Sequence, residues 1–143
     1  SDLGTVKVKG SMLHAREFAF EDVLVTPVRR AATNRFVEAG VVDAGGFGRL
    51  SVSVVGEVSG EPQKAGDLGV VLVPDTKRIV RAFEEDGRFL FPLEVTAPIR
   101  GGKQVYLAGG PGRFDLAFPR YRVLLYNESD KAARVDLHLY ASL

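Results

Sequence analysis

The C-terminal stretch from Phe118 to Tyr140 constrains the fold more than any other part of the sequence. It contains two strand-like segments separated by the polar residues 127–130, Asn-Glu-Ser-Asp. In the second segment every other residue is apolar, namely Val135, Leu137, Leu139 and Ala141. The residues between them are polar, namely Arg134, Asp136, His138 and Tyr140. This period of two predicts a half-buried strand with one apolar face and one wet face.

The first segment, residues 121–126, is largely apolar on both parities, which predicts a central strand covered on both faces. Asn127 and Asp130 can hydrogen-bond their own backbone and tolerate a positive φ, as turn residues do. The sequence therefore predicts that the two segments form a β-hairpin.

Short strand-like segments continue through the rest of the chain, separated by Gly and Pro. The predicted strands cover residues 5–9, 18–26, 35–39, 50–58, 67–73, 88–96, 103–108 and 113–118. With the two C-terminal segments this is about eight to ten short strands, a count and spacing typical of an all-β sandwich or barrel.

Residues 76–87 are the ambiguous element. Ile79, Val80 and Phe83 fall at helical spacing, with Thr76 as a candidate N-cap and Gly87 as a candidate end. Alternatively, Asp86 and Gly87 form a hairpin turn between two strands. The acidic residues at the end of the segment would oppose a helix dipole, so the sequence favours the hairpin. The predicted fold therefore contains at most one short helix.

Length and composition predict one domain over residues 1–143, with residues 1–15 as a candidate N-terminal arm. No apolar run approaches the roughly 20 residues that span a bilayer, so no membrane partner is expected. The net charge of +1 argues against nucleic acid, whose binding needs clustered excess Lys and Arg. Arg supplies 13 of the 19 basic residues while Asn and Gln together number four, a pattern that suits a thermophilic source or a GC-rich genome.

No catalytic, cofactor-binding or metal-binding residues are predicted. Cys is absent and His occurs twice, so thiolate chemistry is excluded and a metal shell would be poor. The glycine-rich segments 101–103 and 109–112 lack the residues and the helix start of a phosphate loop. An enzyme is accordingly the least favoured class.

Two groups of residues are candidates for a protein interface. The first is the wet face of the last strand, which carries positively and negatively charged side chains together with an imidazole and a Tyr. Such a mixture is typical of the polar rim of a protein interface. The second is the connection 27–35, which carries Arg29, Arg30 and Arg35 and could hold a carboxylate or phosphate. An ordinary solvated surface would show the same patterns, and both interpretations stay open.

Residues 42–54, with an Asp-Ala-Gly-Gly-Phe turn into a Ser/Val strand, and residues 121–140, with their Asn-centred turn, resemble jelly-roll domains of bacteriophage virion proteins. The resemblance implies a jelly-roll β-sandwich and a non-enzymatic virion protein, such as a capsid, decoration or spike subunit. Its partners would be other copies of itself, with a trimer favoured, and other virion proteins. No functional residue of that family can be carried over to this chain.

Similar patterns also occur in carbohydrate-binding β-sandwiches, so carbohydrate stays open as a partner, with a secreted or cell-surface location. A small ligand-binding β-barrel is a further alternative. Sugar platforms present exposed aromatic residues, and this chain has no Trp, which weighs against the carbohydrate-binding class.

Overall fold

The computed structural model describes residues 7–9, 14–86, 93–99, 102–106 and 113–143. In this part of the chain there are ten β-strands, one α-helix (α1, Lys77–Asp86) and a 3-10 helix (Thr33–Arg35). The strands are β1 (Lys7–Lys9), β2 (Ala15–Val25), β3 (Val37–Asp43), β4 (Arg49–Val58), β5 (Gly66–Pro74), β6 (Leu93–Ile99), β7 (Gly102–Tyr106), β8 (Arg113–Asp115), β9 (Arg120–Asn127) and β10 (Ala133–Ser142). The predicted all-β class is confirmed.

The strands form two antiparallel sheets. Sheet A has the order β1-β2-β10-β4-β7, with β8 also paired to β4, and sheet B has the order β3-β9-β5-β6. In each sheet a late strand lies between two early ones: β10 between β2 and β4, and β9 between β3 and β5. This interleaving is the strand order of a jelly roll, in which the chain crosses repeatedly between the sheets.

The main core lies between the sheets and is built from one parity of each strand. Sheet A contributes Leu50, Val52, Val54, Val135, Leu137 and Leu139, and sheet B contributes Val42, Leu68, Val70, Leu72, Val123 and Leu125. Each of these side chains is at most 3% exposed, and burying a side chain of this size stabilises the fold by about 1.5–3 kcal/mol. The predicted apolar face of the last strand is therefore confirmed.

The predicted hairpin at residues 118–140 is wrong, because its two arms belong to different sheets. β9 pairs with β3 and β5 in sheet B, whereas β10 pairs with β2 and β4 in sheet A. The prediction that β9 is covered on both faces is confirmed. Both arms are interior strands, and alternation along a strand carries no information on which strand lies beside it.

The buried Asn127 holds the connection between β9 and β10. Its Nδ2 donates to the carbonyl oxygens of Val25 at 3.2 Å and Lys131 at 2.7 Å. Its Oδ1 accepts from the backbone N of Ser129 at 2.9 Å and from the Ser129 Oγ at 2.8 Å. Since Val25 ends β2 in the other sheet, one amide group joins the turn to both layers.

The preference for a hairpin at residues 76–87 is also wrong, because residues 77–86 form α1. The helix places Val80 and Phe83 on the outer face of sheet B, in a second core with Val71, Leu124 and Tyr126. The Thr76 Oγ1 accepts from the backbone N of Ile79 at 3.3 Å and caps the first turn. Burying a Phe is worth about 1.5–3 kcal/mol. Acidic side chains at an exposed C-terminal helix end cost only about 0.3–1 kcal/mol through the helix dipole. Because burial of the Phe contributes more, packing decides the conformation.

Three smaller predictions can be compared with the structure. The predicted strand at 88–96 ends too early, because β6 continues to Ile99 through Pro98, which pairs with Asp67 of β5. Of the predicted arm 1–15, residues 7–9 form β1 on β2, and residues 14 and 15 are also described. The predicted segments at 88–92 and 109–112 lie outside the described residues.

Candidate interaction surface

The outer face of sheet A is mostly polar and faces solvent, whereas the outer face of sheet B is packed against α1. Alternation sends Ser51 and Ser53 of β4 outward beside His138 and Tyr140 of β10. Across the sheet, Tyr140 lies between Glu17 and Ser51, and His138 lies between Ala19 and Ser53. The predicted wet face of the last strand is therefore the centre of this surface.

One half of the surface, which we name the bulge end, comprises Asp22, Leu24, Arg134 and Asp136. The register of β2 against β10 shifts between Val135 and Leu137, and Asp22 adopts a φ of 55° at the irregularity. The Asp136 Oδ1 accepts from the backbone N of Asp22 at 2.7 Å. Arg134 Nη1 donates to the Asp22 Oδ1 at 3.2 Å. Two of the predicted interface residues thus also hold the bulge in place.

Leu24 makes the bulge end partly apolar. It lies opposite Arg134 in the register, and 45% of its surface is exposed. Few large apolar side chains in the described residues are exposed to this degree. An exposed Leu beside an Arg and two Asp residues has the composition of a small protein contact with a polar rim.

The other half, which we name the open end, comprises Glu17, Arg49, Ser51, Ser53, Arg113, His138 and Tyr140. A hollow of about 300 Å³ is lined by Glu17, Ser51, Val52, Ser53, His138, Leu139 and Tyr140. The Tyr140 side chain is 47% exposed. The small side chains of Ser51 and Ser53, together with Ala19, leave space around the two larger rings.

A second hollow of about 350 Å³ adjoins the first and shares Ser51 with it. Its polar lining is Arg49, Ser51, Arg113, Asp115 and Ser142. In the register of β4 against β8, Ser51 faces Arg113 and Arg49 faces Asp115. The two guanidinium-bearing residues are therefore diagonal neighbours on one face of the sheet.

The predicted arginines of the 27–35 connection lie on the opposite side of the sandwich, over sheet B. Arg30 donates through Nε and Nη2 to the Glu94 carboxylate at 3.3 and 3.2 Å. Its guanidinium lies 5.7 Å from the Tyr126 ring centre and 6.0 Å from those of Phe36 and Phe83. Arg30 thus ties the connection to the second core.

Arg29 and Arg35 are exposed on this side. The structure does not bring the seven predicted interface residues together, since four lie on the outer face of sheet A and three in the connection between β2 and β3. Arg134, Asp136, His138 and Tyr140 form the first group, and Arg29, Arg30 and Arg35 form the second.

Tyr126 is the most strongly perturbed titratable group in the described residues. Burial is the largest cause that raises its pKa, followed by its hydrogen bond to Glu94 and the negative charge of that carboxylate. The Tyr126 hydroxyl lies 2.5 Å from the Glu94 Oε2, and the charge of Arg30 opposes the shift. The phenol, carboxylate and guanidinium are therefore in contact with one another on the outer face of sheet B.

Other polar contacts on sheet B are also internal. Arg122 bridges Asp75 at 2.9 Å and Glu38 at 3.4 Å, and Arg120 approaches Asp75 at 3.6 Å. Asp75 directly precedes the cap of α1, so this network fixes the start of the helix. No group of three or more metal-ligating side chains occurs among the described residues.

A mainly apolar cavity of about 500 Å³ opens near one end of the sandwich. It is lined by Pro74, Leu93, Arg113, Phe114, Asp115, Ala117, Phe118 and Tyr121. The Tyr121 hydroxyl accepts from the backbone N of Ala117 and Phe118, both at 3.1 Å, and so fixes one wall. Within the described ranges, no helix has the length and apolar character needed to cross a bilayer.

The sequence did not reveal the contributions of Glu17, Arg49 and Arg113 to the surface. Alternation along β4 does send Arg49, Ser51 and Ser53 to one face. Only the pairing of β4 with β10 and β8 places them beside Tyr140 and Arg113. No protein-family model matches the chain, and a search of curated proteins found no match.

Proposed function

We propose that the protein is a structural subunit of a virion, such as a capsid, decoration or spike protein, which assembles with itself and with other virion proteins. The observation that carries the proposal is the interleaved strand order of the two sheets. It matches the architecture implied by the resemblance of residues 42–54 and 121–140 to phage jelly-roll domains. A jelly roll alone does not specify a role, so the proposed role also depends on the surfaces of the molecule.

The two groups of predicted interface residues lie on separate surfaces, and we favour a closed trimeric ring as the assembly that joins them. A cyclic ring uses two different surfaces of each subunit, which meet head to tail. The bulge end supplies one surface, with Leu24 as its apolar centre and Arg134 and Asp136 as its rim. Arg29 and Arg35 on the opposite side supply the other surface, which can receive the carboxylates of the first.

The sheet edges suit a limited assembly. In the described part of sheet B, β6 pairs only with β5, and it carries Pro98, which has no N–H to donate to a further strand. On the other side, β3 pairs only with β9, and its register shifts between Glu38 and Gly40. Both features discourage open-ended pairing of edges and leave side-chain surfaces as the means of contact.

Light scattering coupled to size exclusion tests the proposal at tens of micromolar protein. We expect a mass three times the 15.5 kDa of one chain. Leu24→Asp should shift the protein towards the monomer, because a carboxylate would then be buried at the centre of the contact. Ala65→Asp adds the same charge on an exposed connection and should leave the mass unchanged.

The genes beside the one that encodes this chain provide an independent test of the virion role. We expect neighbours that encode capsid, portal and terminase proteins. A monomer whose mass does not respond to Leu24→Asp, encoded among unrelated metabolic genes, would overturn the proposal.

A further inference from the structure

The open end of sheet A carries polar side chains that have no partners among the described residues. In the described part of the chain, no hydrogen bond or ion pair engages the side chains of Glu17, Ser51, His138 or Tyr140. The same is true of Arg49 and Arg113. At the bulge end, by contrast, Arg134, Asp22 and Asp136 are bonded to one another. A ligand at the open end would not have to break an internal contact first.

The two hollows give these groups a concave arrangement. Tyr140 and His138 border the first hollow, and Arg49 and Arg113 border the second. Ser51 lies between them, one strand from Tyr140 and one strand from Arg113. Neighbouring strands are about 4.8 Å apart, so the backbones at Tyr140 and Arg113 lie roughly 10 Å from each other across the sheet. This span suits two linked rings better than one.

The charged side chains that line the two hollows are of both signs, which favours a ligand with few charges. Arg49 and Arg113 are balanced by Glu17 and Asp115 within the same two hollows. A nucleic acid would need a clear excess of cations, which the lining of the two hollows does not have among the described residues. A ligand rich in hydroxyl groups, which both donate and accept, can use the hydroxyls, the imidazole and the Glu17 carboxylate together.

Each hollow favours a different part of such a ligand. The exposed Tyr140 ring offers an apolar surface against which the C–H face of a sugar ring can pack, while Glu17 and His138 accept and donate at its edge. Arg49 and Arg113, as diagonal neighbours, can both donate to one carboxylate, which guanidinium groups bind with particular strength.

We infer that the open end binds an acidic oligosaccharide, with one sugar ring on Tyr140 and the carboxylate of the adjoining sugar between Arg49 and Arg113. This inference goes beyond the proposed structural role and does not depend on assembly. The bulge end and the open end use different residues, so the two proposals can fail separately.

Isothermal titration calorimetry with the full chain tests this inference. The probe is a hyaluronan tetrasaccharide, in which glucuronate alternates with N-acetylglucosamine, and the matched neutral sugar is the tetramer of N-acetylglucosamine. We expect the acidic tetrasaccharide to bind and the neutral one to bind about tenfold more weakly or not at all, because it cannot engage the two arginines.

Variants locate the binding site. Tyr140→Ala should weaken binding of the acidic tetrasaccharide about tenfold, whereas Tyr140→Phe, which keeps the ring, should largely retain it. Arg49→Ser with Arg113→Ser should abolish the preference for the acidic sugar. Arg78→Ser with Arg81→Ser removes the same charge from exposed positions on α1 and should change nothing. Unaltered far-UV circular dichroism confirms that each variant is folded.

Four results of the binding measurements would overturn the inference. These are no binding of either sugar, equal binding of both, equal losses in the two double-arginine variants, or retained binding in Tyr140→Ala. A change of oligomeric mass in the Arg49→Ser, Arg113→Ser variant, without a change in sugar binding, would also overturn it. That result would assign the open end to a contact between copies.

Discussion

Gly69 of β5 shows how closely single residues on sheet B are fitted together. A Cβ at this position would overlap the ring of Tyr126, which lies directly across the strand pair. The ring cannot easily move, because its hydroxyl is bonded to Glu94 and Phe36 packs 5.0 Å away, centre to centre. Glycine is therefore needed at position 69 for close approach.

Gly69→Ala should lower the free energy of unfolding by about 1–3 kcal/mol, the usual cost of overpacking a core. Chemical denaturation measures the change. The control is Gly48→Ala, because a Cβ there would meet no atom within 4 Å. If Gly69→Ala were no more destabilising than Gly48→Ala, the close packing of Tyr126 on β5 would be contradicted.

Tyr126 also predicts how stability depends on alkaline pH. Its pKa in the folded protein is raised above 10.0, the ordinary value for Tyr, mainly by burial. Above that ordinary value the unfolded chain loses the phenolic proton while the folded protein keeps it, so the folded state binds more protons. The stabilisation is fully present below pH 10 and is lost as the pH rises further towards the folded-state pKa.

We expect the free energy of unfolding to fall by about 1.4 kcal/mol per pH unit above pH 10 through this group. Tyr126→Phe should remove this part of the slope, although it also loses the hydrogen bond to Glu94. Denaturant titrations between pH 8 and about pH 11 give the dependence of the free energy of unfolding on pH for the protein and for the variant. Identical slopes in the two proteins would show that Tyr126 is not responsible.

At the scale of elements, α1 illustrates how packing overrides local preference. Its residues lack basic side chains in the last turn, and three acidic residues stand there instead. The helix forms because Phe83 and Val80 complete the second core on sheet B, and the Thr33 hydroxyl donates to the carbonyl oxygen of Phe83 at 2.8 Å. The helix therefore depends on the sheet beneath it.

Phe83→Ala should lower the free energy of unfolding by about 3–5 kcal/mol, because it leaves a cavity under the helix. Arg81→Ala, on the exposed side of the same helix, should cost less than about 0.5 kcal/mol. Thermal unfolding followed by circular dichroism compares the two. Equal costs would mean that the helix does not rely on its contact with sheet B.

At the scale of the whole molecule, β10 decides whether sheet A exists. It lies between β2 and β4 and pairs with both along nearly its whole length. Its inward side chains, including Leu137 and Leu139, are at most 1% exposed. Removing this strand would leave two interior strands with unpaired backbone groups facing a void.

A chain truncated after residue 132 should show no cooperative unfolding transition, because unpaired buried backbone groups and the lost core side chains together exceed the stability of a typical domain, about 5–15 kcal/mol. Removal of Leu143 alone, which is 61% exposed, should preserve cooperativity. Differential scanning calorimetry distinguishes the two. A sharp transition in the truncated chain would contradict the central place of β10.

Much of the local structure could be predicted from the sequence because local geometry depends on neighbouring residues. Alternation correctly assigned Leu137 to the core and His138 to the surface, and the apolar run of β5 correctly indicated a strand covered on both sides. The polar turn at Asn127 was also correctly located. These features follow from the period of two in a strand and from the hydrogen bonding of turn residues.

The partners of the strands were decided only in the tertiary structure. Among consecutive strands in the described ranges, only β1 with β2 and β5 with β6 pair with each other. The sequence alone determined which face of a strand is apolar. A strand has the same apolar face whether it joins the next strand in a hairpin or by a crossover between sheets. Burial of two sheets and one helix against each other selected the crossover, placed α1 over sheet B, and brought Tyr140 beside Glu17 and Ser51. The physical reason is that such contacts join residues distant in the chain, whereas sequence patterns report only on near neighbours.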